Sequence, residues 1–375
     1  MARLFRNIAV LLLIMGFLLP LAGYAGTVFF GTGTISETEK RTLAPVPRLD
    51  GSLRDFTAGL DAHFEDHFGF RMTFIRTARE IRDNLGEDPP AVVVGKDGWL
   101  FLGNNKYRDE FEGKGGWDET QVDAWIETLA LARSELGERN VPFAAFIAPD
   151  KARIFPDKLP DDWIEGRRRF RTAVHGHPGT GRTGLVDAER YVRAAKAHGR
   201  TVFFHRDTHW TPDGSYDLAM AVMDELDPST RRPRHLPDPP RIPAPRLMDL
   251  EGMAGYAATS EPSHELIAFP PASGDYIEIL PPADPDSPAR GEFATLRMQG
   301  TDAAPAGRLV IVGDSFADTM LEHFRPSYRE IVRLHHGAHH YDIGLKDVLA
   351  LDPDAVLFAT AERQAARKAR PLRLD

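Results

Sequence analysis

The chain has 375 residues, enough to bury a large core as one domain with an attached lobe. Its 46 basic and 55 acidic residues leave a net charge of −9, which argues against a general nucleic-acid binder, so no nucleic-acid partner is expected. There is no cysteine, which excludes disulfides, thiolate nucleophiles and cysteine-ligated zinc.

The N-terminus MARLFR is basic, and Ile8 to Phe30 carries no charge over 23 residues. About 20 apolar residues cross a bilayer as a helix, so residues 1–30 are expected to form a signal anchor with the cell membrane as partner. Arg3 and Arg6 before the span, with Glu37 and Glu39 after it, put the body outside the cytoplasm. Gly23 and Ala25 offer cleavage as the rival reading, and the body is exported either way. Residues 31–90 follow as a linker and an amphipathic helix in which Leu53, Phe56, Leu60, Phe64 and Phe68 recur at helical spacing up to a break near Gly69. His63 and His67 there read as a solvated face rather than as a ligand pair.

From residue 91 to 375 short apolar runs alternate with helical patterns. AVVVG, VPFAAFIA, TVFF, RLVIVG and AVLFAT read as buried parallel strands, with helices over 118–139, 187–199 and 213–226. That alternation predicts an α/β domain, a parallel sheet flanked by helices. Residues 227–306 are proline-rich and irregular, an expected excursion over the sheet with a small hairpin around Tyr276–Leu280.

Two stretches carry chemistry. In HRDTHWTPDG, residues 205–214, His205, Asp207 and His209 alternate, so on an extended chain they share a face. A metal site, part of a triad and a polar strand end all remain open on that pattern. In RLVIVGDSFADT, residues 308–319, an apolar strand runs into Gly313-Asp314-Ser315 and a helical pattern follows. A serine at such a turn lies at the carboxyl edge of the sheet, where open α/β folds place ligands; the bland alternative, that Asp314 or Ser315 merely caps the helix, does not need the glycine and the full strand before it. Serine alone is a poor nucleophile and needs a base held by a third group; Asp207-Thr208-His209 supplies both, which favours the triad Ser315, His209, Asp207 and no metal. Weaker substrate-side candidates are Trp210 as a sugar platform or core residue, Lys151 as a substrate contact or loop tie, Tyr107 in the cleft, and Gly313 at the turn. The four histidines of LHHGAHHYD, residues 334–342, show no register that gathers three of them.

GDSF together with DTHW and the following Gly214 resembles the SGNH hydrolase-like domain of the alginate O-acetyltransferase AlgJ/AlgX-type family. HFEDHFGFR, VVVGKDGWLFL at 92–102, Pro149 with Lys151 and IFP at 154–156, MDLEGM at 248–253 and PDAVLFATAER at 353–363 extend the resemblance along most of the exported body. No carbohydrate-binding module follows residue 375, so the AlgJ type is expected to be nearer. The resemblance implies an acetyltransferase that needs no cofactor. Ser315 would carry the acetyl group, His209 would deprotonate a sugar hydroxyl, Asp207 would orient His209, and the Ser315 N–H would face the oxyanion. It also implies a polysaccharide acceptor, a multipass MBOAT-type acetyl donor protein, and a site on the periplasmic side of the bacterial inner membrane. An esterase, a metal-dependent hydrolase using His205, Asp207 and His209, and a non-catalytic polysaccharide-binding subunit are the alternatives. MDL in place of GDL and the loss of an acidic residue before Glu362-Arg363 depart from the family pattern. For a polyanionic acceptor, RRRF at 167–170 and Arg231, Arg232 and Arg234 would have to gather at the cleft.

Overall fold

The computed structural model describes residues 91–227, 241–243, 248–254, 265–267, 277–280, 295–302, 304–337, 343–367 and 371–374, together with 52–67 and positions 18, 46–47 and 77. The chain divides into two compact units, 1–90 and 91–375. In the first, Leu53–His67 is a helix, as the apolar spacing predicts. His63 is buried in it while Leu60 and Phe64 are exposed, so the solvated reading of His63 is corrected. The expected anchor over residues 8–30 lies outside the described residues apart from Leu18, and among the described residues no helix is long and apolar enough to cross a membrane.

The second unit is built from strands β1 (Val92–Val94), β2 (Leu100–Leu102), β3 (Phe143–Ala148), β4 (Leu185–Val186), β5 (Arg241–Pro243), β6 (Glu265–Ile267), β7 (Ile277–Leu280), β8 (Thr295–Gln299), β9 (Arg308–Gly313), β10 (Glu330–His335) and β11 (Ala355–Ala361). Seven of them form one sheet in the order β4-β3-β11-β9-β10-β8-β7. From β4 to β10 neighbours are parallel, whereas β8 and β7 run antiparallel. The sheet is therefore mixed, which corrects the all-parallel expectation. The cause lies in the excursion: its end returns as an antiparallel pair on the open edge of β10, and Ile277–Leu280 of the expected hairpin pairs with Thr295–Gln299.

Two other strand expectations also change. Among the described residues AVVVG pairs only with β2, in a separate antiparallel ribbon. Residues 201–204 contribute an isolated bridge, Phe203 to Trp210, and no sheet strand. Val202, Phe203 and Phe204 are nonetheless buried, so their apolar run reports burial rather than sheet membership.

Alternation along the central strands explains the two layers. In β3, Ala144, Phe146 and Ala148 face one core and Phe143, Ala145 and Ile147 the other. In β9, Leu309 and Ile311 join the first while Val310 and Val312 join the second. The helices Ala188–Ala197 and Pro212–Leu226 cover the first face, and Glu119–Gly137 and Leu345–Leu349 the second. Because β11 inserts between β3 and β9, three strand ends converge: Asp150-Lys151 after β3, Asp314-Ser315 after β9 and Glu362-Arg363 after β11. This is where the chain reverses direction across the sheet, the place at which open α/β folds form crevices.

Candidate active site

Ser315 opens a one-turn helix, Ser315–Asp318, directly after β9. Asp314 caps it, accepting from the Phe316 amide at 3.0 Å, and its other oxygen accepts from the Ala361 amide at 2.6 Å. The cap and the reactive serine are thus different residues, and the cap also ties the turn to β11. A Cβ on Gly313 would lie 2.7 Å from that of Ala317, so the turn needs a glycine for close packing.

The segment 205–214 is a tight turn rather than an extended strand. The Phe203–Trp210 bridge closes it, with the Thr211 amide donating to Val202 at 3.0 Å. The Lys151 ammonium sits inside the turn and donates to the carbonyls of Phe204 (3.0 Å), His205 (2.9 Å) and Asp207 (2.9 Å). Thr211 then caps the helix Pro212–Leu226, where a Cβ on Gly214 would come within 2.2 Å of the Val202 carbonyl oxygen. The glycine after DTHW is therefore sterically required.

These two turns bring their side chains together. His209 Nε2 lies 2.7 Å from Ser315 Oγ, and His209 Nδ1 lies 2.5 Å from Asp207 Oδ1. Asp207 Oδ1 also accepts from the His209 amide at 3.0 Å, and its Oδ2 from the Asp249 amide at 3.1 Å. Burial works to raise the Asp207 carboxyl, but the His209 charge and hydrogen bonds, with the Asp249 amide, outweigh it and hold Asp207 well below the usual carboxylate range. A fixed anion on Nδ1 leaves Nε2 free to accept a proton from Ser315, whose residue is only partly buried.

Asp249 is the site residue that residue-by-residue reading missed. It opens the helix Asp249–Ala254, and the MDLEGM block around it was the available signal. Its Oδ1 accepts from the Thr208 amide at 2.8 Å, and its Oδ2 accepts from the Thr208 hydroxyl. Burial and the neighbouring Asp207 charge push the Asp249 carboxyl up.

The weaker candidates sort differently. Lys151 is 2 % exposed and bound to three carbonyls, so it ties down the loop rather than meeting substrate; burial pushes its ammonium down to about 7 against the pull of Asp207 and Asp249. Trp210 is wholly buried, donates from Nε1 to Thr319 Oγ1 at 2.6 Å and packs on Phe146 and Phe316, which corrects the platform reading to core. Tyr107 is buried too, its hydroxyl accepting from the Ala152 amide at 3.0 Å, so it does not line a cleft. Gly313 is buried by the close packing just described.

His205 leaves the cluster and packs against Trp99, the rings tilted by 35° with centroids 4.3 Å apart. Among the described residues, the triple that gathers ligand atoms within 4.8 Å is instead Asp207, His209 and Asp249. Every one of those groups is already engaged, the imidazole at both nitrogens and both carboxylates by amide or hydroxyl donors. A metal at this triple would have to displace a bond of the His209 imidazole, to Ser315 or to Asp207. His336 Nε2 donates to the Ala359 carbonyl (2.9 Å) as a buried core residue, while His339, His340 and the arginines at 231, 232 and 234 lie outside the described residues. Arg168 stacks on Trp117, and Arg169 pairs with Glu189, so the RRRF run is used structurally.

A mixed sheet flanked by helices, with a serine at a strand-to-helix turn facing a His–Asp pair, defines an SGNH hydrolase-like α/β fold. Residues 92–269 match the family described as SGNH hydrolase-like domain, acetyltransferase AlgX. The probable alginate O-acetylase AlgJ of Pseudomonas aeruginosa is 28% identical over 306 residues, covering 78% of this chain and 64% of that protein. The corresponding protein of Azotobacter vinelandii is 26% identical, covering 73% of this chain and 63% of its own length. The resemblance to the AlgJ/AlgX-type family is thereby borne out, and the chain spans less than two thirds of these relatives. Among solved structures, Bacillus cereus PatB1 superposes with a TM-score of 0.52 at 15% identity, covering 74% of this chain and 98% of that one, a likeness of fold.

Proposed function

We propose that the chain is an exported, membrane-anchored O-acetyltransferase that acetylates hydroxyls of an extracellular polysaccharide, alginate or a similar polymer. The observation that carries this reading is the hydrogen-bonded chain Ser315–His209–Asp207 at the carboxyl edge of the sheet. In the first half-reaction Ser315 Oγ attacks the acetyl carbonyl of the donor while its proton passes to His209 Nε2. Asp207 stabilises the imidazolium, and the Ser315 N–H faces the developing oxyanion. The proton leaves with the departing group, and the acetyl ester remains on Ser315. In the second half-reaction His209 takes the proton of a sugar hydroxyl, which attacks the ester, and the imidazolium returns its proton to Ser315 Oγ.

The relatives' printed name, probable alginate O-acetylase AlgJ, supports the acceptor class. Acetyl-CoA is absent outside the cytoplasm, so the donor is expected to be a multipass protein of the MBOAT type. An uncleaved helix at residues 8–30 would hold the enzyme beside it, on the periplasmic side of the inner membrane, and raise the effective concentration.

The full chain, purified in detergent, is expected to release acetate from an activated acetyl ester and to show an acetyl increment on the Ser315 peptide. Ser315→Ala should remove both with the fold retained, a loss of several orders of magnitude. Undiminished turnover in that variant overturns the covalent mechanism. Acetate appearing on an oligosaccharide faster than in water marks a transferase; release to water alone marks an esterase.

A further inference from the structure

Thr208 lies between two carboxylates, and the Ser315–His209–Asp207 chain gives it no part. Its hydroxyl donates to Asp249 Oδ2 and sits 3.3 Å from His209 Nδ1. Its amide donates to Asp249 Oδ1 at 2.8 Å, while the Asp249 amide donates back to Asp207 Oδ2 at 3.1 Å. Asp249 Oδ2 itself is 3.6 Å from His209 Nδ1. A hydroxyl that has given its proton to Asp249 turns lone pairs toward the imidazole, so the Nδ1–H is shared between Asp207 Oδ1 and Thr208 Oγ1. The second carboxylate comes from a different stretch of chain, the helix Asp249–Ala254, and closes a ring of hydrogen bonds through Asp207, His209 and Thr208.

We propose that Asp249 is a positioning residue acting through Thr208: it sets a second carboxylate behind the base, fixes Nδ1–H toward Asp207, and stabilises the imidazolium formed when Ser315 loses its proton. Two carboxylates on one imidazole repel each other, and a cation between them relieves that repulsion. The arrangement is therefore worth most at the moment His209 is charged, which is when the reaction needs it. The other charges around this turn are Lys151 beneath it, bound to the Asp207 carbonyl, and Arg206, paired with Glu251 at 3.1 Å. Both are engaged where they stand.

The kinetic arm of the test rests on the transfer reading above, and the spectroscopic arm does not. Asp249→Asn keeps the shape and removes the charge; Thr208→Val cuts the hydroxyl link; Thr208→Ser restores it. In histidine-labelled full chain, with the His209 signals assigned by their loss in His209→Gln, the imidazole titration is followed by NMR in each variant. In parallel the pH profile of kcat/KM is taken for acetate release. Asp249→Asn and Thr208→Val are expected to move the imidazole midpoint and the acid limb of kcat/KM to lower pH together, with kcat lowered on the order of tenfold and KM unchanged. Thr208→Ser should track the parent protein. If the first two variants leave both readings unmoved, or lose only melting temperature, Asp249 is a structural latch and the proposal falls. Should Asp249→Asn not fold, Thr208→Val against Thr208→Ser decides. A parent protein without turnover but with the shifted titrations defeats the transfer reading and leaves this one standing.

Discussion

Asp207 can be judged by one substitution. Asp207→Asn keeps the size of the side chain but removes the charge beside Nδ1 and favours the wrong imidazole tautomer. A fall in turnover on the order of 10⁴-fold is expected, by the logic of serine-protease triads. Melting temperature measured on the same sample separates catalysis from structure: cooperative unfolding with collapsed turnover supports the triad, and near-normal turnover removes it. At this scale Ser315, His209 and Asp207 were legible because their chemistry needs those residue types at a strand end and two residues apart. The direction of the remaining side chains was not. Lys151 looks like a substrate contact in one dimension, yet three backbone carbonyls of a turn 53 to 56 residues away capture its ammonium. Lys151→Met would leave those carbonyls unmet in a buried site, and a loss of roughly 3 kcal/mol or more is expected by denaturant unfolding. An unchanged midpoint would mean that the turn closes without the lysine.

Elements carry a different balance. The central strands β3, β9 and β11 are continuous apolar runs because both of their faces are covered, so the sequence marks them without ambiguity. The tract at 201–204 has the same composition and is equally buried, but it turns away into the bridge with Trp210. Composition reports burial and says little about hydrogen-bond partners. β8 escaped notice for the opposite reason, because Thr295–Gln299 alternates polar and apolar residues. The element that places the base is the helix Pro212–Leu226, and its start admits a sharp test. Gly214→Ala would drive a Cβ to within 2.2 Å of the Val202 carbonyl oxygen. Overpacking of this kind costs about 1–3 kcal/mol, and here it would also shift the turn bearing His209. Melting temperature and turnover should fall together, whereas alanine at the exposed Gly116, with nothing within 4 Å of its Cβ, should change neither.

Across the whole domain, buried titratable groups set opposing pH dependences. Burial pushes His323 down to about 4 from 6.5, where it lies beside Ser215 and the Pro212 carbonyl. In the unfolded chain it takes up its proton first as pH falls, so its contribution is full above about 6.5 and is lost towards 4. Glu110 behaves in the reverse sense. Burial, then the nearby Glu362 charge, push its carboxyl up from 4.5 to about 7, and Asp150 rises to about 6 chiefly through burial. The unfolded chain releases these protons near 4, so the folded state binds more of them and loses stability as pH climbs towards 7. The His323 and Glu110 slopes oppose each other between about pH 4.5 and 6.5. Glu110→Gln isolates one of them, since it removes the charge that Glu362 and Asp150 repel while keeping a polar group near the Phe170 amide. The variant should exceed the parent only slightly near pH 5 and by much more above pH 7, on the order of 3 kcal/mol at most. Urea unfolding of the two proteins at both pH values measures this, and a gain of equal size at pH 5 would show that packing, rather than the Glu110 charge, sets the difference.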